Sequence, residues 1–284
     1  MSVNFKKIGL AIAFSPTSET LLREATKYTL LFQAELILIH VGNHSVVEEE
    51  KMKALLKAVT VQPIILWRKG SPTEEILKAC QQEGIDLLVA GALKKENLLQ
   101  MYIGTVARKI MRKANCSVLL IQNPEAEESP IQNIVVNAED SPFIEQAIEV
   151  GCYIGQLQKA QWIHITRELK LLGLALSANE QCTEDEYHES MQGMVREEVI
   201  EVEKILGKIP HQNLKVNIKM LSGKSGYELA KFSERKKADL LIVGAPERRF
   251  YLLDRIFPHD LEYIFANLPC SLLVVNFRKQ SKNG

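Results

Sequence analysis

The sequence offers chemistry at a few places. Gly91-Ala92-Leu93-Lys94 follows an apolar run, and after nine further residues Gly104-Thr105 opens a helical pattern, Val106–Ala114. Glycine lets a backbone approach a phosphate closely, and a helix start presents unpaired N–H groups with a partial positive charge. Thr105 adds a hydroxyl and Lys94 or Lys95 a counter-charge, so this stretch is a candidate phosphate cradle. Gly223-Lys224-Ser225 has the ending of a G-x-x-x-x-G-K-[ST] loop, but the first glycine would fall on Ile218, and the segment reads as the start of a helix. His40 and His164 both fall on second strands and read as strand-end histidines; those at 44, 188, 211 and 259 show no metal spacing. Cys116 and Cys270, each just before a last strand, read as buried, inert thiols.

These residues need a scaffold, and composition bounds it. Of 284 residues, 46% are hydrophobic and 25% charged, the balance of a globular chain rather than a disordered one. The length suits about two domains of roughly 100–200 residues. Lys plus Arg (35) equals Asp plus Glu (35), which argues against general nucleic-acid binding. The clusters Arg108–Lys113 and Arg235–Lys237 read as solvated helix faces. Five cysteines without a C-x-x-C pair argue against a disulfide framework or zinc site and suit a reducing cytosol. No G-x-S-x-G or H-E-x-x-H motif is present, so nothing points to catalysis. No run reaches the ~18–20 apolar residues of a membrane span.

An internal repeat organises the chain. Asp86-Leu-Leu-Val-Ala-Gly91-Ala92 recurs as Asp239-Leu-Leu-Ile-Val-Gly244-Ala245, 153 residues later. Gly70 and Glu75-Ile-Leu-Lys78 recur at the same offset as Gly223 and Glu228-Leu-Ala-Lys231. Asn115-Cys-Ser-Val-Leu-Leu-Ile121 matches Pro269-Cys-Ser-Leu-Leu-Val-Val275 at 154, and Ala13 pairs with Glu139 at 126. The second copy therefore carries about 27 extra residues early on, expected within Thr166–Tyr187 around the apolar run Leu171–Ala178. Lys6-Lys7 followed by Ile8–Phe14 looks like a short signal peptide, but its counterpart lies inside the chain, so both read as first strands.

Within the first copy, apolar runs at Ile8–Ala13, Leu36–Val41, Pro63–Trp67, Leu87–Ala90 and Val118–Ile121 suit strands buried on both faces. Leu21, Leu22, Ala25, Tyr28, Thr29 and Phe32 recur at helical spacing, and Ser71-Pro72-Thr73-Glu74 reads as a capping box. Met191, Met194, Val195, Val199, Val202, Leu206 and Ile209 form a long amphipathic stripe in the second copy. This alternation predicts an open, doubly wound, five-stranded parallel-sheet α/β domain, twice. In such sheets ligands bind beyond the strand carboxyl ends, near the switch in strand order.

The whole set resembles the universal stress protein family, whose nucleotide-binding members show G-x2-G-x9-G-(S/T) after the fourth strand. Here the spacing is kept as Gly91-x2-Lys94-x9-Gly104-Thr105, with lysine at the second glycine. Leu38-Ile39-His40-Val41, Gly70-Ser71-Pro72 and the run from Gly104 to Ile121 carry the likeness further. The resemblance covers residues 4–122 and 131–277 and implies a Rossmann-like fold of the adenine nucleotide alpha-hydrolase type. It implies domains at 1–122 and 131–278, a linker at 123–130 and a tail at 279–284. It further implies pairing of the domains through Val118–Ile121 and Leu272–Val275 as an intramolecular pseudo-dimer.

The resemblance also implies an adenine-nucleotide site, ATP or a relative, with no metal beyond the magnesium that accompanies it. In the first copy Ala13, Val41, Gly91, Lys94, Gly104 and Thr105 would line it, Val41 lending backbone to the base and Gly104-Thr105 meeting phosphate. Ala13 stands where binding members have an acid, and Lys94 where they have glycine. The second copy keeps an acid, Glu139, but has Glu247 and Phe257-Pro258 at the phosphate loop, where Glu247 repels phosphate and Pro258 lacks a donor. The expectation is a cytoplasmic stress-response protein, a sensor or interaction module rather than an enzyme, binding neither nucleic acid nor membrane. The alternatives are a slow ATPase or a scaffold that binds no nucleotide.

Overall fold

The computed structural model describes residues 3, 5–94, 101–122, 130–139, 141–169, 184–223, 225–246 and 259–277. The first half runs β1 (Lys7–Ile12), α1 (Ser18–Phe32), β2 (Glu35–Val41), α2 (Val46–Leu56), β3 (Ile64–Arg68), α3 (Pro72–Gln82) and β4 (Leu87–Gly91). A short hairpin follows, β5 (Leu93–Lys94) and β6 (Met101–Tyr102), then α4 (Thr105–Lys113) and β7 (Ser117–Ile121). The second half runs β8 (Asn133–Asn137), α5 (Ile144–Gln158), β9 (Trp162–Glu168), α6 (Glu184–Leu206), β10 (Val216–Leu221), α7 (Ser225–Arg235), β11 (Leu240–Gly244), α8 (His259–Ala266) and β12 (Ser271–Val275).

Ten strands form one sheet in the order β10-β9-β8-β11-β12-β7-β4-β1-β2-β3. Every neighbouring pair is parallel except β12 and β7, which run antiparallel. Each half is therefore the expected doubly wound five-stranded sheet, and the halves join through their last strands. At the seam Leu119 faces Leu273, while Val118 faces Val274 and Leu120 faces Leu272. Residues related by the repeat thus meet across a local two-fold axis, the isologous geometry of a C2 dimer written into one chain.

Apolar clusters fill both sheet faces and cross the seam. Leu10, Leu22, Leu38 and Met52 share one cluster with Ile134, Ile148, Ile163 and Val202. Ile39, Ile76, Leu88 and Leu120 share the other with Leu241, Ile264 and Leu272. The apolar stripe of α1 faces inward, with Leu21, Leu22, Ala25, Tyr28 and Thr29 all buried. Polar groups close the seam in symmetric pairs. Ser117 and Asn276 bond at 3.0 Å, and the Gln122 N–H donates to Ser271 Oγ at 3.2 Å. Arg108 and Arg112 of α4 both hold Glu262 of α8, at 2.8 and 2.6 Å.

Several motifs prove architectural. Asp86 Oδ2 accepts the N–H groups of Lys6 and Lys7 at 3.0 Å, as Asp239 Oδ2 accepts those of Gln132 and Asn133 at 2.7 and 2.9 Å. The repeated aspartate therefore ties the fourth strand to the start of the first. Gly70 and Gly223 have φ of +139° and +125°, which L side chains rarely adopt, and Glu75 and Glu228 fold over them. The Gly223 segment is a helix start, as read. The capping box at Ser71 is not formed: Ser71 is the N-cap but makes no side-chain cap bond. Pro72 at the first helical position and the Glu75 N–H to Ser71 carbonyl bond (3.0 Å) start α3 from the backbone instead. Thr166, the expected start of the insertion, lies inside β9, which continues to Glu168. Residues 123–129 of the linker, the tail and Leu171–Ala178 lie outside the described residues.

Candidate functional site

The switch in strand order falls between β1 and β4, because β1 leads outward to β2 and β3 while β4 leads to the seam. Ala13, Val41 and Gly91 follow or end β1, β2 and β4, so neighbouring strands bring their carboxyl ends together. Gly104 is the N-cap of α4, with extended backbone (φ −66°, ψ 165°) and no side-chain cap bond, and Thr105 is exposed at the first helical position. The first backbone bond inside α4 runs from Arg108 N–H to Gly104 carbonyl at 2.9 Å. The N–H groups of the first turn are thus without helical acceptors, and that turn holds no acid. This arrangement can receive an anion.

Lys94 sits differently from its reading as part of an open loop. It pairs with Met101 in the β5–β6 hairpin, so backbone that a glycine-rich loop would leave free is engaged in a ladder. The Ala13 carbonyl is engaged too. It accepts the Ser15 N–H at 2.9 Å and the Ser18 hydroxyl, which also accepts the Ser15 N–H at 2.8 Å. The turn after β1 is therefore tied to itself.

Sequence reading overlooked an aromatic group at the same end of the sheet. His40 is buried, its ring 4.5 Å from Phe14 and 5.1 Å from Trp67, while His44 stacks on Trp67 at 4.5 Å. His40 Nδ1 donates to the Ile12 carbonyl at 3.1 Å, and Nε2 is enclosed without a partner. His44 Nε2 meets Glu49 at 2.6 Å. The positions were visible in the sequence, but Phe14 and Trp67 lie 53 residues apart and only strand register makes them neighbours.

The second copy is shut at the corresponding place. A Cβ on Gly244 would stand 2.3 Å from Ser141 Oγ and 3.4 Å from the Phe143 carbonyl carbon. Ser141 donates to the Ala245 carbonyl at 2.9 Å, pressing the turn after β8 onto the end of β11. A Cβ on Gly91 would meet only the Leu21 side chain among its nearest atoms, at 2.9 Å. Glu139, the acid kept by the second copy, accepts the Glu168 N–H at 2.5 Å and so serves β9. Glu247 and Phe257-Pro258 lie outside the described residues.

The other candidates resolve into packing. Cys116 and Cys270 are buried, and burial pushes the Cys270 thiol far up. His40 and His164 are not equivalents. Residue 7 pairs with 35 in the first copy and 133 with 162 in the second, so the counterpart of His40 is Arg167. Among the described residues, no three His, Cys, Asp or Glu stand close enough to hold a metal, and no helix is long and apolar enough to cross a membrane.

Comparison with known proteins follows the same lines. Residues 43–122 match the model of the universal stress protein family. Universal stress protein MJ0577 of Methanocaldococcus jannaschii is 29% identical over 160 residues, covering 43% of this chain and 98% of that protein. Universal stress protein YxiE of Bacillus subtilis is 28% identical over 149 residues, covering 42% and 99%. Each relative is thus spanned nearly whole by less than half of this chain. The crystal structure of a universal stress protein from Archaeoglobus fulgidus shares the fold over 96% of this chain and 99% of its own, with a TM-score of 0.66 at 15% identity. The match over residues 43–122, these relatives and the duplicated strand-helix pattern with its two-fold seam make the chain similar to the universal stress protein family.

Proposed function

We propose that this chain is a cytoplasmic stress-response protein, a sensor or interaction module with one partly retained adenine-nucleotide site in its first copy and no efficient turnover. The observation that carries the reading is the asymmetry between Gly91 and Gly244. The turn after β8 covers Gly244 through Ser141, whereas Gly91 has only the Leu21 side chain among its nearest atoms and the first turn of α4 carries no acid and no side-chain cap. Likeness to the universal stress proteins supplies the ligand class. Gly91, Gly104 and Thr105 receive the phosphates, Val41 gives backbone to the base, and Ala13 and Lys94 line the rest. Magnesium enters only with the nucleotide.

The test is to denature freshly purified protein, identify released small molecules by mass spectrometry, and titrate the emptied protein with Mg-ATP. Near-stoichiometric nucleotide, or saturable binding that a Gly104→Glu, Thr105→Ala variant loses by tenfold or more, is the expected result. A folded variant with unchanged affinity overturns the assignment of these residues. A protein that ignores millimolar Mg-ATP favours the second reading, a scaffold without nucleotide. The Ala13 carbonyl tied into its own turn and Lys94 held in a hairpin are what speak for that reading.

A further inference from the structure

We propose that the second copy positions the anion cradle of the first. Arg108 and Glu262 form a brace across the seam that holds the Ile103–Gly104 peptide at the start of α4, and both act as positioning residues for a bound phosphate. This rests on the reading above that the start of α4 receives that phosphate.

Ile103 immediately precedes Gly104, the N-cap of α4, and both of its backbone polar groups are committed. Its N–H donates to the Phe265 carbonyl at 2.9 Å. That carbonyl lies in the last turn of α8, where helical donors run out, so the first copy caps a helix of the second. The Ile103 carbonyl accepts Arg108 Nε at 3.1 Å. Arg108 Nη1 then reaches Glu262 Oε2 at 2.8 Å, and Arg112 Nη2 donates to Glu262 Oε1 at 2.6 Å. The Ile103 side chain is buried, in one apolar cluster with Ile264, Phe265 and Leu268 of the second copy.

Peptide planarity couples this brace to the cradle. The Ile103 carbonyl and the Gly104 N–H belong to one planar trans unit and point in opposite directions, so fixing the first aims the second. Arg108 also holds the next unit, because its backbone N–H donates to the Gly104 carbonyl at 2.9 Å and so aims the Thr105 N–H. One residue thus sets both peptides that open α4. Its side chain keeps 32% exposure, and Glu262 is what holds the guanidinium against the seam rather than in solvent. A planar fork of donors can serve a carbonyl and a carboxylate together, which the compact ammonium of lysine does not reproduce.

The brace runs in one direction. At the 154-residue offset of the last helix and strand, Glu262 is the repeat counterpart of Arg108 itself. A two-fold dimer of identical chains would set like charges against each other here. In this chain the copy with the cradle supplies the cation, and the copy that is shut supplies the acid. At the place of Ile103-Gly104 the second copy has Phe257-Pro258, and proline has no N–H to aim. The shut copy therefore serves the other as a support.

Two readouts on the intact chain test the brace. Amide hydrogen exchange reads it directly: Glu262→Ala should speed exchange of the Ile103 and Arg108 N–H groups about tenfold, the effect of one charge-assisted hydrogen bond. Mg-ATP titration reads its consequence: Glu262→Ala and Arg108→Lys should each weaken binding about tenfold. Arg112→Gln loses a seam contact but neither bond to Ile103, and its affinity should stay within about twofold of wild type. Should Glu262→Ala not fold, Arg108→Lys, which keeps a cation on the seam, carries both readouts. Unchanged exchange at Ile103 and Arg108 overturns the brace, as do equal affinity losses in all three variants or faster exchange with unchanged affinity. A wild-type protein that ignores millimolar Mg-ATP overturns the nucleotide reading alone, and the exchange result then decides the brace.

Discussion

His164 shows what burial does to one ring in this sheet. It sits three positions before Arg167 on β9, stacked on Trp162 at 5.8 Å and edge-on to Phe232 at 5.6 Å. Asn217 Nδ2 donates to its Nδ1 at 3.2 Å, which fixes Nδ1 as the acceptor of a neutral ring. Desolvation first and the nearby Lys236 second hold its pKa below the ordinary value. The folded chain therefore takes up this proton later than the unfolded chain does as pH falls. The contribution to stability is complete above the unfolded value, about 6.5, and is lost as pH drops through and below it. The urea midpoint of the wild type should fall between pH 7 and pH 5, and His164→Gln, which keeps an acceptor for Asn217, should flatten that slope. Equal slopes in the two proteins would show that His164 does not set it. In sequence His40 and His164 looked like one repeated residue. Only the pairing of strands reveals that one ends at the loops and the other lies mid-sheet.

At the scale of elements, the fastening of the second helix to the sheet in the second copy rests on one buried cation. Arg167 is nearly enclosed, with 10% side-chain exposure, while Glu198 keeps 33% and Glu201 60%. Removing the cation strands a half-buried carboxylate, which costs less than the ~3–5 kcal/mol of a fully buried broken pair because water reaches one side. Arg167→Met should lower stability by about 2 kcal/mol in urea unfolding, with the loss reduced when Glu198→Gln is added. Equal losses with and without Glu198→Gln would count against the pair. Elements themselves were readable: β1 was expected at Ile8–Ala13 and is found at Lys7–Ile12, because a parallel strand buried on both faces is a bare apolar run. The β5–β6 hairpin was not readable. Leu93-Lys94 and Met101-Tyr102 are two-residue strands, too short to show alternation, so the segment looked like an open glycine-rich loop. Ser71 was read as a cap from its spacing to Glu74, but proline and a left-handed glycine start that helix without it. The candidate site divides in the same way. Its glycines and Thr105 are named by spacing, while the state of the Ala13 carbonyl depends on how the turn closes, which no spacing encodes.

The whole molecule has the architecture of a two-fold dimer written as one chain. Leu119 against Leu273 marks the two-fold point, and the apolar clusters on both faces run through it without interruption. Phe5 stacks on Phe277 at 5.4 Å, so the first residues of copy one pack on the last described residue of copy two. Phe32 of α1 stacks on Tyr153 of α5 at 5.8 Å on one face, and Glu262 holds two arginines on the other. A seam with central leucines, aromatic contacts and paired side-chain bonds has the make-up of an obligate interface, in which neither half keeps its edge strand covered alone. Covalent continuity between the halves then supplies effective concentration. Residues 1–122 and 131–278, produced together as separate chains, should therefore associate one to one and elute as a single species. The intact chain should unfold in one cooperative transition rather than two. Leu273→Asp places a charge against Leu119 with no counter-ion, so the separate halves should no longer associate and the intact variant should unfold at lower urea. Wild-type halves that stay apart, each with its own sharp transition, would instead make the seam a convenience of the linker and the two copies independent domains.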